Sequence, residues 1–145
     1  MIAAAAPFAA LSATRVHDLL KLRQDVFVVE QACAYPDLDG RDTEAGTHHV
    51  LLVDGDADTG LLLGCARVLD DGDVWRIGRV ALAPAARGRG LADVVLQTAL
   101  AVCPGRPVVL DAQAPLVALY ARFGFEVDGE EFVEDGIPHV PMRRP

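Results

Sequence analysis

Three apolar, β-branched runs separated by short polar turns occupy the stretch from His48 to Leu82, and they constrain the fold more than any other feature. The runs cover residues 48–54, 61–69 and 74–82. Glycine and aspartate follow the first two runs, and Pro84 follows the third. Strands joined by turns this short pair with their neighbours in antiparallel fashion. The stretch therefore predicts an antiparallel meander that ends at Pro84.

Helical periodicity appears on both sides of the meander. Before it, apolar residues recur every three or four positions and predict a helix over 14–29, with Ser12 or Thr14 as its N-cap. After it, the pattern predicts helices over 90–103 and 116–123 and strands over 108–110, 125–133 and 139–143. Residues 1–11 predict a short edge strand, 33–46 an irregular acidic loop, and 134–136 a turn.

This order of elements indicates the fold class. Strand–helix–strand units attached to a meander predict an α/β (α+β mixed) fold, with a mostly antiparallel sheet and one parallel crossing near its middle. The chain has 145 residues and shows neither an internal repeat nor a linker. We therefore expect a single domain over residues 1–145.

Composition narrows the function classes. Hydrophobic residues make up 52% of the chain and charged residues 23%, as is typical of a folded protein. The net charge of −8 argues against a nucleic-acid partner, because phosphates attract basic surfaces. No signal-like N-terminus and no apolar run of ~18 residues is present, so we expect a cytoplasmic chain without a membrane partner. Cys33, Cys65 and Cys103 lie far apart without zinc-like spacing, so we expect reduced thiols and no metal.

A loop containing two glycines, Arg87-Gly88-Arg89-Gly90-Leu91-Ala92, enters the helix that follows the meander. The first turn of a helix has unpaired N–H groups and the positive end of the dipole, and glycines let an oxygen-rich group approach the backbone. Arg87 and Arg89 add positive charge. The loop is neither a P-loop nor a dinucleotide loop, because it lacks both motifs. It either binds an anion such as a pyrophosphate or forms an ordinary flexible turn.

A second motif, Leu119-Tyr120-Ala121-Arg122-Phe123-Gly124-Phe125, follows one helix and one strand later. Together with Arg87-x-x-Gly90-x-Ala92, it resembles the two central motifs of the GNAT superfamily of N-acetyltransferases. Residues 23–31, 37–42, 48–49 and 135–139 are similar to the ElaA branch of that superfamily. The resemblance thus covers nearly the whole chain from about Leu19 onward. It implies the acyl-CoA N-acyltransferase fold, with acetyl-CoA as cosubstrate.

The resemblance also implies which residues bind acetyl-CoA. Main-chain groups of Val80, Ala81 and Leu82 hold the pantetheine arm like an added strand, where this strand splays from its neighbour at 108–110. An N–H group near Leu82 then polarises the acetyl carbonyl. The pyrophosphate is bound by backbone amides of Arg87, Gly88, Arg89, Gly90, Leu91 and Ala92. Many relatives carry an asparagine where this chain has Pro115, so we expect Gln113 to substitute for it.

Tyr120 is the candidate general acid. A phenol with a pKa of about 10 can protonate a departing thiolate that lies within hydrogen-bond reach. The alternative is that Tyr120 is only a core aromatic residue. We also expect Tyr120 and Phe123 of the second motif to contact the cofactor.

The acceptor amine must lose a proton before it attacks, which requires a base or a chain of waters. The candidates are Glu30, His48, His49, Glu134 and His139, of which Glu30 and His139 join Tyr120 as our predicted catalytic residues. The acidic stretch 37–42 lacks the spacing of an EF-hand calcium loop. It could attract a cationic acceptor or cap backbone amides in its own turns, and we favour capping.

The leading prediction for function is transfer of an acetyl group from acetyl-CoA to a primary amine by direct attack. Arg23-x-x-x-Phe27 is also similar to acyl-homoserine-lactone synthases, which gives one alternative, and a non-catalytic acyl-CoA sensor gives another. The acceptor stays open among free amino acids, polyamines, antibiotics, peptide N-termini and lysine side chains. A homodimer is a possible assembly, since dimers are common in the superfamily.

Overall fold

One eight-stranded sheet carries helices on both of its faces in the computed structural model, which describes all residues, 1–145. The strands are β1 (Ile2–Ala6), β2 (His48–Asp54), β3 (Leu61–Asp70), β4 (Trp75–Leu82), β5 (Val108–Gln113), β6 (Glu126–Val127), β7 (Phe132–Glu134) and β8 (Ile137–Arg144). The helices are α1 (Ala13–Arg23), α2 (Leu91–Leu100) and α3 (Val117–Ala121). None of the helices is long and apolar enough to cross a membrane.

The strands are arranged in the order β1-β2-β3-β4-β5-β8-β6, and β7 pairs with β8. Every neighbouring pair is antiparallel except β4 and β5, which run parallel. The predicted meander is therefore confirmed as β2-β3-β4, and the predicted parallel crossing lies between β4 and β5. The mixed α/β fold class is confirmed.

Two apolar cores lie on opposite faces of the sheet. Alternate residues of β2 enter them: Val50 and Leu52 face α2, whereas Leu51 and Val53 face α1. Both faces of β2 and β3 are covered, so these strands appear in the sequence as continuous apolar runs rather than alternating ones. The first helix begins at the predicted N-cap, where Ser12 Oγ accepts a hydrogen bond from Arg15 N at 3.1 Å.

The helical stretch predicted over 14–29 changes character near its middle. Regular α-helix ends at Arg23, and residues Gln24–Glu30 continue as a wider π-helical segment. Such segments insert one extra residue per turn and are frequent at functional sites. In this chain the segment ends with Glu30 beside the cavity described below.

The strand predicted over 125–133 is two short strands, β6 and β7, which pair with different parts of β8. The single-strand prediction is wrong because Pro141 of β8 lies opposite the break and has no N–H group to donate to a continuous ladder. Pro141 O still accepts a hydrogen bond from Asp128 N at 2.8 Å, and a Cβ on Gly129 would lie 2.8 Å from Pro141 Cγ, so the chain between β6 and β7 stays in close contact with this proline.

A β-bulge interrupts β4 at Arg79. Gly78 pairs with Arg67 and Ala81 pairs with Cys65, so two residues of β4 lie opposite one residue of β3. Arg79 has a φ of 52°, in the left-handed region that side chains other than glycine rarely adopt. The bulge lies in the part of β4 that borders the cavity described next.

Candidate active site

The parallel strands β4 and β5 separate after two residue pairs and leave a cavity between them. Trp75 pairs with Val108 and Arg76 with Val109, and no pairing continues beyond them. From Ile77 onward, the edge of β4 that faces β5 therefore has no strand partner. A cavity of about 820 Å³ occupies this opening. The predicted splay is confirmed, and an extended ligand can pair with the free edge as a strand would.

The glycine loop lies at the outer end of this opening. Gly88 and Gly90 have φ values of 73° and 71°, and a Cβ added at either position would meet nothing within 4 Å. Gly90 is the N-cap of α2 and has no side chain to occupy the free N–H groups of the first turn. The space beside both glycines is open, so the loop leaves room for an anionic group such as a diphosphate at the first turn of α2.

Arg87 of the same loop is held by two groups. Its Nη1 and Nη2 atoms donate to the Glu30 carboxylate at 2.6 and 2.7 Å. Its Nε and Nη2 atoms also donate to Leu82 O at 3.2 and 3.0 Å. Hydrogen bonds from Arg87 lower the pKa of Glu30, so the carboxylate stays ionised and is a weaker base than a free glutamate.

Tyr120 lies on α3 with its side chain in the apolar core and at the cavity wall. Its ring packs edge-on against Phe125 at 6.1 Å between centroids. Burial raises the pKa of Tyr120 to about 12, because the phenolate would lose its hydration. The phenol therefore keeps its proton at physiological pH and has a proton to donate.

His139 of β8 borders the cavity opposite Gln113, its register partner in β5. Its Nδ1 atom lies 2.8 Å from Ile137 O, and because a carbonyl only accepts, Nδ1 must carry a proton. In the neutral imidazole this leaves Nε2 with a lone pair. Phe132 stacks on the ring at 5.6 Å and fixes its plane. His139 thus presents the tautomer that a general base requires.

A buried network of arginines and aspartates holds residues 31–47 against the sheet beneath the cavity. Arg23 of α1 donates to Asp37 at 2.9 Å and to Asp42 at 2.7 Å. Arg67 of β3 donates to Asp42 at 3.1 Å and to Asp39 at 2.8 Å. Arg23 is 1% exposed and Arg67 4%, so these charges pair away from water.

Arg79 and Tyr35 extend this network to the cavity wall. The Arg79 guanidinium lies over the Tyr35 ring at 5.4 Å and donates to Asp37 O at 3.0 Å. Its Nε atom is 2.8 Å from Asp37 Oδ1. The Tyr35 hydroxyl donates to the same carboxylate. The wall formed by Tyr35 and Arg79 is therefore fixed in place by the network rather than free to move.

The preference for backbone capping in the acidic stretch is wrong for Asp37 and Asp42. Only Asp39 makes such a contact, accepting from Arg41 N at 3.0 Å. Hydrogen bonds from Arg67 hold the pKa of Asp39 well below its usual range. Burial opposes ionisation of Asp42, but hydrogen bonds from the arginines outweigh it and keep its pKa lowered. The stretch thus neutralises arginines brought from other elements.

Two of the five candidate bases do not reach the cavity. His49 is fully buried, its Nε2 donates to Asp42 O at 3.0 Å, and burial lowers its pKa, so it is a neutral structural residue. His48 does not line the cavity either. Both predictions are wrong because β2 lies between β1 and β3, away from the opening between β4 and β5, and its adjacent side chains point into the protein layers on the two faces of the sheet. Glu30, Glu134 and His139 do line the cavity.

The predicted cofactor-binding residues divide into three groups. Val80, Ala81, Leu82, Arg87, Ala92, Gln113 and Tyr120 line the cavity. Gly88, Arg89 and Gly90 lie on the exposed surface beside it, and Leu91 packs against the core at the start of α2. Phe123 does not line the cavity and packs against the apolar core that also contains Tyr120. Its predicted cofactor contact has no support.

Among the residues of the cavity wall that sequence reasoning missed are Gln31, Cys33 and Tyr35. Cys33 donates from Sγ to Asp135 O at 3.3 Å, and Gln31 accepts from Gln113 Nε2 at 3.2 Å. All three lie between the first helix and the acidic stretch, a segment without periodicity. The aromatic side chain and the thiol, which stand among alanines and a proline, were the available signal.

A family model described as an acetyltransferase (GNAT) domain matches residues 24–144, which include the two motifs and all residues that line the cavity. The chain therefore belongs to the GNAT acetyltransferase family, as the arrangement of the glycine loop and the splayed strands leads one to expect.

Within this family the chain is similar to ElaA. Escherichia coli ElaA is 40% identical over 141 residues, which cover 92% of this chain and 90% of ElaA. Its crystal structure matches over 100% of both chains with a TM-score of 0.91 and 36% identity. An acyl-CoA N-acyltransferase from Pseudomonas aeruginosa matches equally fully, with a TM-score of 0.88 and 39% identity. A UPF0039 protein of Mycobacterium tuberculosis is 49% identical over 136 residues, covering 93% of this chain and 87% of that protein.

Proposed function

We propose that the chain transfers the acetyl group of acetyl-CoA to a primary amine by direct attack in a ternary complex. The observation that carries the proposal is the unpaired edge of β4, which leads from the glycine loop into the cavity bordered by Tyr120 and His139. Family membership supports the donor class, and the geometry of this edge supports the place where the donor binds.

Three parts of the chain would hold acetyl-CoA. Backbone amides of residues 87–92 would bind the pyrophosphate at the start of α2. Main-chain groups of residues 80–82 would pair with the pantetheine arm, and an N–H group near Leu82 would polarise the thioester carbonyl. Gln113 lines the opposite wall on β5 and would supply the side-chain hydrogen bond that Pro115 cannot make.

Two side chains would move the protons. His139 Nε2 accepts a proton from the amine as the new C–N bond forms at the carbonyl carbon. Tyr120 donates its phenolic proton to sulfur as the C–S bond breaks. A proton leaves the amine and another reaches the thiolate, so the products are a neutral amide and free coenzyme A thiol. The mechanism uses no cysteine nucleophile. Cys65 and Cys103 lie in the core with pKa values raised by burial to about 12 and about 11. Cys33 lines the cavity, but its thiol donates to Asp135 O and its pKa is also raised by desolvation.

A free-thiol release assay with acetyl-CoA across an amine library tests this proposal. We expect turnover with at least one amine, and a fall of about 100-fold in kcat for Tyr120→Phe. Acetyl-CoA affinity should not change in that variant, because only the hydroxyl is removed. Tight acetyl-CoA binding with no thiol release on any amine would favour a non-catalytic sensor. Full turnover of Tyr120→Phe with chemistry rate-limiting would refute the role of the phenol.

A further inference from the structure

The ion pair between Glu30 and Arg87 joins two parts of the site that otherwise act on different substrates. Glu30 ends the π-helical segment on the acceptor side, whereas Arg87 opens the glycine loop. Two hydrogen bonds connect these parts, from Arg87 Nη1 and Nη2 to the Glu30 carboxylate at 2.6 and 2.7 Å. Both side chains line the cavity and are about equally exposed, at 44% and 40%.

We propose that the pyrophosphate of the donor displaces Glu30 from Arg87, and that the released carboxylate then binds a second positively charged group on the acceptor. This inference rests on the function proposed above and adds to it a substrate class and a binding order. The acceptor would be an amine that carries another cation besides its reacting nitrogen, such as a diamine.

The exchange at Arg87 follows from its hydrogen bonds. Four of its five N–H groups donate to Glu30 or to Leu82 O, which leaves a single N–H group on Nη1. A diphosphate can therefore bind this guanidinium through two hydrogen bonds only by replacing one of these partners. An ion pair this exposed is weak, because water and salt screen it. A diphosphate carries more charge than a carboxylate and gains the helix amides as well, so it is the stronger partner.

The released carboxylate has no other protein partner within the cavity. Arg67 is already paired with Asp39 and Asp42, Arg79 with Asp37, and Arg76 with Asp71. Displacement thus changes the acceptor wall from a neutral pair to an unpaired negative charge. Glu134 and Asp135 on the same wall also lack an ion-pair partner, which adds to the negative potential.

An acceptor with a second cationic group fits this wall better than an acceptor with a carboxylate. The reacting nitrogen must be neutral when it attacks, so the Glu30 carboxylate, which stabilises positive charge, is suited to bind a different group of the acceptor. All cavity arginines are paired, and none is free to bind the carboxylate of an amino acid. The binding order follows, since Glu30 becomes available only after the donor has bound.

Calorimetry with coenzyme A tests the exchange by comparing Glu30→Gln with Asp25→Asn. Asp25 is on the same π-helical segment, pairs with Lys21 and does not line the cavity, so the control removes an equal charge without touching the pair. We expect Glu30→Gln to bind coenzyme A about two- to fivefold more tightly than Asp25→Asn, as loss of an exposed competing pair implies. Equal affinities of the two variants would overturn the exchange.

Steady-state kinetics with 1,4-diaminobutane and 1-aminobutane test the acceptor class. The wild-type chain should prefer the diamine in kcat/KM, and Glu30→Gln should raise KM for the diamine roughly tenfold with kcat unchanged, which corresponds to one charged hydrogen bond. A fall in kcat at constant KM would overturn the binding role, since the carboxylate would then act on the proton. Lack of turnover with the diamine would overturn the acceptor class. Only a failure of the wild-type chain to bind coenzyme A would contradict the donor site itself.

Discussion

Replacement of Asp42 by asparagine should destabilise the protein far more than its position in an irregular loop suggests. Asp42 accepts three hydrogen bonds, two from Arg23 at 2.7 and 3.3 Å and one from Arg67 at 3.1 Å. The network contains three arginines, Arg23, Arg67 and Arg79, and three aspartates, Asp37, Asp39 and Asp42, so its formal charge is zero. The asparagine keeps the shape but leaves one buried positive charge uncompensated.

The expected loss of unfolding free energy follows from the ion-pair partners that Arg23 and Arg67 keep in the variant. Removal of one member of a buried ion pair costs about 3–5 kcal/mol when the other charge is left alone. Arg23 keeps Asp37 and Arg67 keeps Asp39, which places the expected loss near the lower end, at about 3 kcal/mol. With a urea m-value of about 1.5 kcal/mol per molar, the unfolding midpoint should fall by about 2 M.

Urea unfolding followed by circular dichroism measures this shift, with Asp25→Asn as the matched control. Asp25 makes an exposed pair with Lys21, and its loss should cost less than about 0.5 kcal/mol. A double-mutant cycle with Arg23→Gln should give a coupling above about 1 kcal/mol, because the two groups are in contact. If Asp42→Asn shifts the midpoint no further than Asp25→Asn, the network does not hold the loop.

Three further outcomes are expected. Gly90→Val should lower acetyl-CoA affinity at least about tenfold in calorimetry, because the side chain fills the space before α2. Gly105→Val, at a similar φ of 74° with equally open surroundings, should not. His139→Gln should lower kcat about 100-fold without changing acetyl-CoA affinity. Because burial lowers the pKa of His49, the unfolded chain takes up a proton below about pH 6.5 that the fold does not. Stability should therefore fall as pH drops from 7 to 5.5, and His49→Gln should reduce that slope in thermal melts.

The fold could be read from the sequence wherever a pattern extended over several consecutive residues. The meander, α2 and the order of elements depend on such local periodicity, and their positions agree with the structure to within a few residues. The π-helical end of α1 could not be foreseen, because Gln24–Glu30 keeps apolar residues at helical spacing. The break between β6 and β7 depends on Pro141 of β8, a strand that follows both of them in the chain.

The residues proposed to bind the donor could be predicted from the sequence, and the contacts of Glu30 and the acidic stretch could not, for a similar reason. The glycine loop and Tyr120 lie in short contiguous motifs, which can be recognised in a single sequence. The pair of Glu30 with Arg87 joins residues 57 positions apart, and Arg79 reaches Asp37 across 42 positions. Nothing in the spacing of the aspartates at 37–42 indicates that arginines from α1, β3 and β4 will meet them. Only the packing of those elements determines the partners.

The bulge at Arg79 determines which face of the sheet each later residue of β4 occupies. Before it, Trp75 and Ile77 face α2, whereas after it Val80 and Leu82 do so and Ala81 faces α1. One inserted residue thus exchanges the two faces of the sheet for every later residue of β4. Deletion of Arg79 would shorten β4 by one residue and also exchange the residues that face α2 with those that face α1 along the segment that borders the cavity. Residues of this strand can therefore be replaced one at a time, whereas an insertion or a deletion moves large side chains into the wrong core.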